Sequence, residues 1–512
     1  MRGFQSILYD EDISPHSIND TRQPEFFSDL NLDQLVDTVT AGREEYNLKP
    51  YFYVPLHSVA TLEYRQEVMK DVESGAIFAH LTSFADNMRR VRELLAQGKK
   101  LYYPRQQHRW FMEAVDSYCV AVGCLARDLT LAEPHSHGLQ EFRDYLTQYS
   151  RSEAFTAVLD EIAKLRSSLS AVRYRLQIAE GSLEVSRYEP EPDYGEQVSK
   201  AFEKFKQGAT KEYTFEFSDW AQMNHVEAAV LDRVALLYPE VFRSLEKFRA
   251  DHSAFLDSTI QVFDREVQFY LSILEHARKL KSAGLPLCYP TVDDHAKEID
   301  CQEIYDLALA SKLAEAASRL VRNDARLKGP ERILVISGAN QGGKTTFART
   351  LGQLHYWASL GCPVAAHRAR LFLADRIFTH FERQEDVQTL RSKLEDDLVR
   401  IRAILEQATS RSLLIMNESF SSATWQDALF LGRQIMERVS DLDLICVFVT
   451  FLEELASLNA KTVSMVSTVQ PDNPSLRLFK IVRMPADGLA YAAAIAAKYE
   501  LSYEDVKRRI AS

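Results

Sequence analysis

An apolar, β-branched run, Ile333-Leu-Val-Ile, leads directly into Ser337-Gly338-Ala-Asn340-Gln-Gly342-Gly343-Lys344-Thr345-Thr346. No other stretch restricts the fold as strongly. A strand, a glycine-rich turn and a helix-compatible continuation must follow without a break, and that order belongs to α/β domains. Gly338, Gly343, Lys344 and Thr345 occupy the fixed positions of G-x-x-x-x-G-K-[ST]. Glycines let backbone N–H groups curl around phosphate oxygens, and the helix N-terminus adds a favourable dipole. The spacing predicts a nucleoside triphosphate site. Gly342, Gly343 and Thr346 complete the cradle, Lys344 reaches the β/γ-phosphates, and the Thr345 hydroxyl sits on Mg²⁺. A glycine-rich αβ turn with no ligand is the bland alternative.

The chain of 512 residues is long enough for more than one domain. Its net charge of −12 argues against wrapping nucleic acid through a broadly basic surface, so any DNA contact must be a local patch or a dimeric channel. No window approaches about 18 uninterrupted apolar residues, which predicts no membrane span. The first residues lack the basic and apolar regions of a secretory signal. The six cysteines are scattered without metal-site spacing and read as buried thiols of a cytoplasmic protein.

Taken in order, residues 1–58 form an N-terminal segment in which Asp29 or Asn31 caps a helix near Leu32, and Pro50 to Pro55 reads as an extended connector. Residues 59–285 read as a helical core or lever domain. Apolar residues recur at three- and four-residue spacing from Val59 to about Arg173, in runs that include Trp110 to Leu131 and Phe142 to Leu169, and again from Trp220 to Lys281. Between them Val172 to Ile178 and Leu183 to Val185 alternate around Gly181, which predicts a β-hairpin within a clamp-like insertion near residues 172–215. Arg89, Arg90, Arg92, Lys99 and Lys100 read as a solvated helix face, with phosphate contact as the alternative. Lys200, Lys204, Lys206 and Lys211 with their aromatic neighbours read as snorkelling lysines, with nucleic-acid contact as the alternative. Residues 286–512 alternate strands and helices. Predicted strands run from Asp375 to Phe381, Leu413 to Met416, Leu444 to Val449, Thr462 to Val469 and Leu476 to Met484, with a helix from Asp386 to Gln407.

The strand Leu413 to Met416 ends in Asn417-Glu418. Glu418 is the candidate general base that polarises the attacking water. Asn417 stands where an Asp would hold Mg²⁺ through water; it brings no charge, which predicts weaker metal affinity and slow turnover.

Several separate segments together resemble MutS mismatch-repair proteins. They are Ser337 to Thr346 with its loop Asn340, Asp375-Arg-Ile-Phe-Thr379, Leu390-Arg391-Ser392-Lys393, Val321-Arg-Asn323-Asp324 and Gly488-Leu-Ala-Tyr-Ala492. The resemblance implies a multidomain chain whose helical part precedes an α/β P-loop ATPase domain of ABC type, closed by a C-terminal helical dimerisation element. It also implies ATP and Mg²⁺ as cofactors, a homodimer in which Ser392 of one subunit faces the ATP of the other, and a role for Asn340 in ordering the loop. The expected function is a nucleotide-gated dimeric clamp that binds DNA by structure rather than by base, in mismatch repair or recombination-related processing. The alternative is a nucleotide-gated scaffold for protein or ribonucleoprotein. The chain departs from the family pattern at Asn417, at Thr450-Phe451-Leu452 where Thr-His is expected, and at Leu390 and Lys393 in the signature. Phe111-Met-Glu113 matches a mismatch-reading Phe-x-Glu but lies in a helical apolar run, so a form lacking the mismatch-recognition domain is expected.

Overall fold

The residues Ile333 to Ile336 are wholly buried, as a strand with neighbours on both edges requires. In the computed structural model this strand is the third of a six-stranded sheet. The structure describes residues 4–10, 21–179, 181–189, 223–313, 320–382, 393–470, 473–486 and 507. Two compact units divide the chain. One holds the first four residues, 75–134 and 139–264; the other holds 5–74, 135–138 and 265–512.

The N-terminal helices are α1 (Phe26–Asp29), α2 (Leu32–Thr40), α3 (Lys49–Tyr53) and α4 (Val59–Glu73). The expected extended connector at Pro50 to Pro55 is instead helical through Tyr53, within α3, and turns extended only at Val54. Proline is tolerated in a first turn, where its missing N–H costs nothing. The aromatic residues then close inward: Phe52 stacks on Trp357 with centroids 5.8 Å apart, and the Phe52 carbonyl accepts from the Tyr356 hydroxyl at 2.6 Å.

Long helices follow: α5 (Gly75–Lys100), α6 (Pro104–Ala132), α7 (His137–Ser150) and α8 (Glu153–Ser170). The run from Phe142 to Leu169 is therefore two helices. Ser152 separates them because its hydroxyl accepts from the Phe155 N–H at 3.2 Å and caps α8. In the basic cluster of α5, Arg92 pairs with buried Asp264 and Arg89 lies 3.5 Å from Asp86. Phe111 packs edge-on against Phe248 and Phe255, in keeping with a helix-packing residue rather than a wedge.

The predicted hairpin forms from β1 (Tyr174–Ala179) and β2 (Ser182–Arg187), turning through Gly181 at φ 82°. Its base is anchored by Arg187, which donates to the Leu237 carbonyl at 2.9 Å. Lys200 to Lys211 lie outside the described residues. Helices α9 (His225–Leu237), α10 (Pro239–Asp251) and α11 (Ser258–Ser282) come next. Gly284, at φ 78°, follows the last of them.

The α/β part contains a second sheet that hydrophobic patterning did not reveal. Its strands are β3 (Thr291–Asp293), β4 (Ile299–Ile304), β5 (Asn323–Leu327) and, after the large sheet has begun, β7 (Arg368–Phe372), in the order β3-β7-β4-β5. These strands are short, and charged residues such as Asp300, Arg326 and Arg370 interrupt their apolar pattern. The short helix α12 (Leu307–Lys312) follows β4.

The large sheet takes β6 (Ile333–Gly338), β8 (Ile377–Phe381), β9 (Leu413–Asn417), β10 (Ile445–Val449), β11 (Thr462–Gln470) and β12 (Asn473–Arg483), in the order β12-β11-β6-β10-β9-β8. All neighbours are parallel except β11 with β12. Strand β8 starts at Ile377 rather than Asp375, because the Asp375 carboxylate accepts from Thr409 and Ser412 at 2.6 and 2.9 Å and closes a turn. The helices are α13 (Lys344–Ser359), α14 (Lys393–Gln407) and α15 (Trp425–Leu442). On one face Phe420, Met436, Val439 and Leu455 pack with Met416 and Phe448 into a buried cluster. α13 is braced by the N-terminal helices: Gln353 donates to the Leu30 carbonyl at 2.9 Å and Arg349 to that of Asp29 at 2.8 Å. Cys119, Cys301, Cys362 and Cys446 are buried free thiols, while Cys124 and Cys288 are half-buried. Among the described residues, no helix is long and apolar enough to cross a membrane.

Candidate nucleotide-binding site

The carboxyl ends of parallel strands leave a crevice in α/β sheets, and here β6 and β9 deliver their loops to the same crevice. Between β6 and α13 the chain turns through Gly338 at φ 103°, Gln341 at 59° and Gly343 at 89°. Gly342 is required for a different reason. A Cβ there would lie 2.0 Å from the Ser467 hydroxyl, which instead donates to the Gly342 carbonyl at 2.8 Å. Arg477 holds the other shoulder of the loop, its Nε donating to the Asn340 carbonyl at 3.1 Å.

Lys344 begins α13 and its side chain folds back across the loop. Its ammonium donates to the carbonyls of Gly338 and Ala339 at 2.9 and 3.1 Å and to Asn340 Oδ1 at 3.4 Å. The side chain is buried, and this desolvation pulls its pKa below the usual lysine value; Glu418 opposes that shift and Arg477 adds to it. Thr345 Oγ1 donates to Asn417 Oδ1 at 2.8 Å, joining the end of β9 to the start of α13. Glu418 follows with φ 51°, held by its N–H on the Val449 carbonyl at 3.0 Å.

These loops border a cavity of about 400 Å³ whose wall includes Gly342, Gly343, Lys344, Thr345, Thr346 and Glu418. That size suits a small-molecule ligand, for which pockets run about 300–1,000 Å³. The remaining wall is largely apolar, with Ile304, Tyr305, Leu309, Val321 and Phe479. Phe479 sits in left-handed backbone at φ 55°, with its carbonyl accepting from Asn323 Nδ2 at 3.3 Å. Asp306 lines the same wall; burial raises its pKa against the hydrogen bonds from the Leu309 N–H and Gln353. Among the described residues no cluster of three His, Cys, Asp or Glu side chains is arranged to hold a metal.

The structure thus brings Gly338, Asn340, Gly342, Gly343, Lys344, Thr345, Thr346, Asn417 and Glu418 into one site. Ser392 and Gly488 lie outside the described residues. Lys393 opens α14 and pairs with Glu382. Phe451, at the position where the family pattern has a His, is half-exposed and lies outside the cavity wall. Sequence reading missed Ser467, Arg477, Phe479, Asn323 and Asp306. Ser467 and Arg477 reach the loop from β11 and β12, whereas Phe479, Asn323 and Asp306 line the cavity beside it, and no local motif marks them as site residues.

Residues 334–502 match MutS domain V. Over this stretch the chain is similar to the MutS family. The DNA mismatch repair protein MutS of Zymomonas mobilis is 32% identical over 173 residues, covering 34% of this chain and 20% of that protein. The MutS of Chloroflexus aurantiacus is 34% identical over 142 residues, covering 27% of this chain and 15% of its own length. Endonuclease MutS2 of Thermus thermophilus is 32% identical over 189 residues, covering 37% and 25% respectively. The chain therefore matches between about a seventh and a quarter of these MutS relatives. The matched span holds the glycine-rich loop from Gly338 onward, Asn417 and Glu418, whereas Tyr305, Asp306, Leu309 and Asn323 of the cavity wall precede it.

Proposed function

We propose that this chain binds ATP with Mg²⁺ and hydrolyses it slowly, as a nucleotide-gated, DNA-binding member of the MutS family. The single observation that carries this reading is the Thr345–Asn417 hydrogen bond, which sets the phosphate loop against the strand end that presents Glu418. Lys344 would exchange its loop carbonyls for phosphate oxygens, and the apolar wall around Leu309 and Phe479 would take the base. Glu418 would orient and deprotonate the attacking water. Thr345 Oγ1 and Asn417 Oδ1 are neutral oxygen donors, which fits Mg²⁺ that draws most of its shell from phosphates and water. That ion, when bound, would offset charge on the β/γ-phosphates. Without a carboxylate at position 417 its hold is weak, and turnover is slow.

The ATPase is of ABC type in this reading, and two subunits close on the nucleotide, with Ser392 of one subunit reaching the site of the other. Long helices such as α5 and α6 would carry that closure to a DNA-clamping end. The relatives named for DNA mismatch repair, together with the MutS2 endonuclease, favour DNA recognised by its structure as the substrate class. The test is ATP turnover and sedimentation with and without ATP for the wild type, Lys344→Ala and Glu418→Gln. Wild-type protein that binds no ATP, or that never dimerises, would overturn the reading.

The net charge of −12 favours a second reading, a nucleotide-gated scaffold for protein or ribonucleoprotein. A salt titration against duplex, mismatched and branched DNA separates the two, because phosphate contacts weaken steeply as salt rises. No binding even at low salt would put the scaffold ahead.

A further inference from the structure

The turn that carries Glu418 is strained. Glu418 and Phe420 both take left-handed backbone, at φ 51° and 66°, although neither is glycine. Such residues persist only where their surroundings over-determine them. Phe420 is wholly buried in the core beneath α15. Ser419, between them, is buried too, and its hydroxyl lies 2.8 Å from Nδ1 of His380.

His380 is wholly buried on β8, beside Met416 of β9 in the sheet register. Side chains alternate along a strand. Thr379 points one way and donates to Asp29 Oδ2 at 2.6 Å; His380 points the other way, where its Nε2 lies 3.3 Å from Oδ1 of buried Asp397 on α14. The tautomer with its proton on Nε2 faces that carboxylate and leaves Nδ1 to accept from Ser419. A parallel tie runs beside it: Ser421 donates to Glu382 Oε1 at 2.9 Å, and Glu382 pairs with Lys393, the first residue of α14. Two polar links therefore join one end of one helix to residues 419 and 421.

Ser, His and Asp side chains in contact suggest a nucleophile, but Ser419 is sealed from solvent and does not line the cavity. The contacts hold the turn. We propose that His380 is a positioning residue for Glu418, fixing its turn through Ser419 and coupling it to α14 through Asp397. This rests on the ATPase reading above for its effect on turnover, and on geometry alone for its effect on the turn.

The experiment uses the full chain with Ser419→Ala, His380→Gln and His380→Asn. Gln keeps a polar group near the Nε2 position and loses Ser419; Asn keeps one near Nδ1. Each is measured for kcat and KM with ATP, for thermal midpoint, and for amide hydrogen exchange at residues 418–421 without nucleotide. Ser419→Ala and His380→Gln should lower kcat about tenfold with KM changed less than about twofold, since misplacing a catalytic group costs rate more than binding. The double variant should be no slower than either single one, exchange at 418–421 should rise, and His380→Asn should recover most of the rate. Unchanged kcat in folded Ser419→Ala and His380→Gln, or losses that follow the thermal midpoint alone in all three, would overturn the proposal. A wild type that turns over no ATP defeats the ATPase reading instead. The exchange measurement then decides, and unchanged exchange at 418–421 overturns the positioning role.

Discussion

Thr345 and Asn417, 72 residues apart in the chain, meet through a hydrogen bond of 2.8 Å between hydroxyl and amide oxygen. Both groups are neutral, so the pair can contribute oxygens to a cation but no charge. Asn417→Asp should tighten Mg²⁺ about five- to tenfold, because a carboxylate is the stronger ligand for a hard cation. Titrating Mg²⁺ at fixed ATP and following bound nucleotide checks it. An unchanged Mg²⁺ midpoint would place the metal elsewhere.

Lys344 is held by carbonyls that would be left without its charge in Lys344→Ala. ATP affinity should fall at least about tenfold, the loss of a charge-assisted contact to phosphate. Equilibrium dialysis with labelled ATP measures it.

Glu418→Gln keeps the size of the side chain and removes the carboxylate proposed as the base. Turnover should fall about a hundredfold or more while ATP binding stays within about twofold. A steady-state rate equal to wild type would remove Glu418 from the chemistry.

Gly342→Ala places a Cβ against the Ser467 hydroxyl and close to the Ala339 carbonyl. The loop must shift, at a cost of about 2 kcal/mol. Urea unfolding should show that loss together with weakened ATP binding, and adding Ser467→Ala should recover part of it but not the backbone clash.

Asp443 receives Lys461 and Lys297 at 2.7 and 2.9 Å. Burial raises its carboxyl pKa, but those hydrogen bonds and the charges of Arg332 and Lys297 outweigh it and hold the group at about 2. A depressed carboxylate stabilises the fold above its unfolded pKa of about 4 and loses that contribution as pH falls through about 2. Asp443→Asn should therefore cost stability near neutral pH, on the order of 1 kcal/mol after screening of this partly exposed group. The difference from wild type should shrink across acid pH. Denaturant midpoints from pH 7 down to 2 test the sign.

Some of this was legible residue by residue. Ile333 to Thr346 announced strand, loop and helix because glycine, lysine and threonine have few other uses at that spacing. Gly181 between two alternating runs announced the hairpin, and the acidic strand end announced Glu418. The second sheet was not legible: β3, β4, β5 and β7 are short and half-exposed, and their pairing is set by partners distant in the chain. Nor was the helix α3, since two prolines around three aromatic residues read as extended until Trp357 and Tyr356 packed against them.

The sequence by itself determined the local chemistry: which loop could bind phosphate, which side chains could hold a cation, and which carboxylate could act as a base. Each of those depends on residue types at short, regular spacing. Only the tertiary structure decided what holds that chemistry in place. Ser467 and Arg477 reach the loop from β11 and β12, and His380 reaches the turn of Glu418 from β8. Such contacts arise from the order of strands in a sheet, and strand order is fixed by packing over the whole domain rather than by any neighbouring residue.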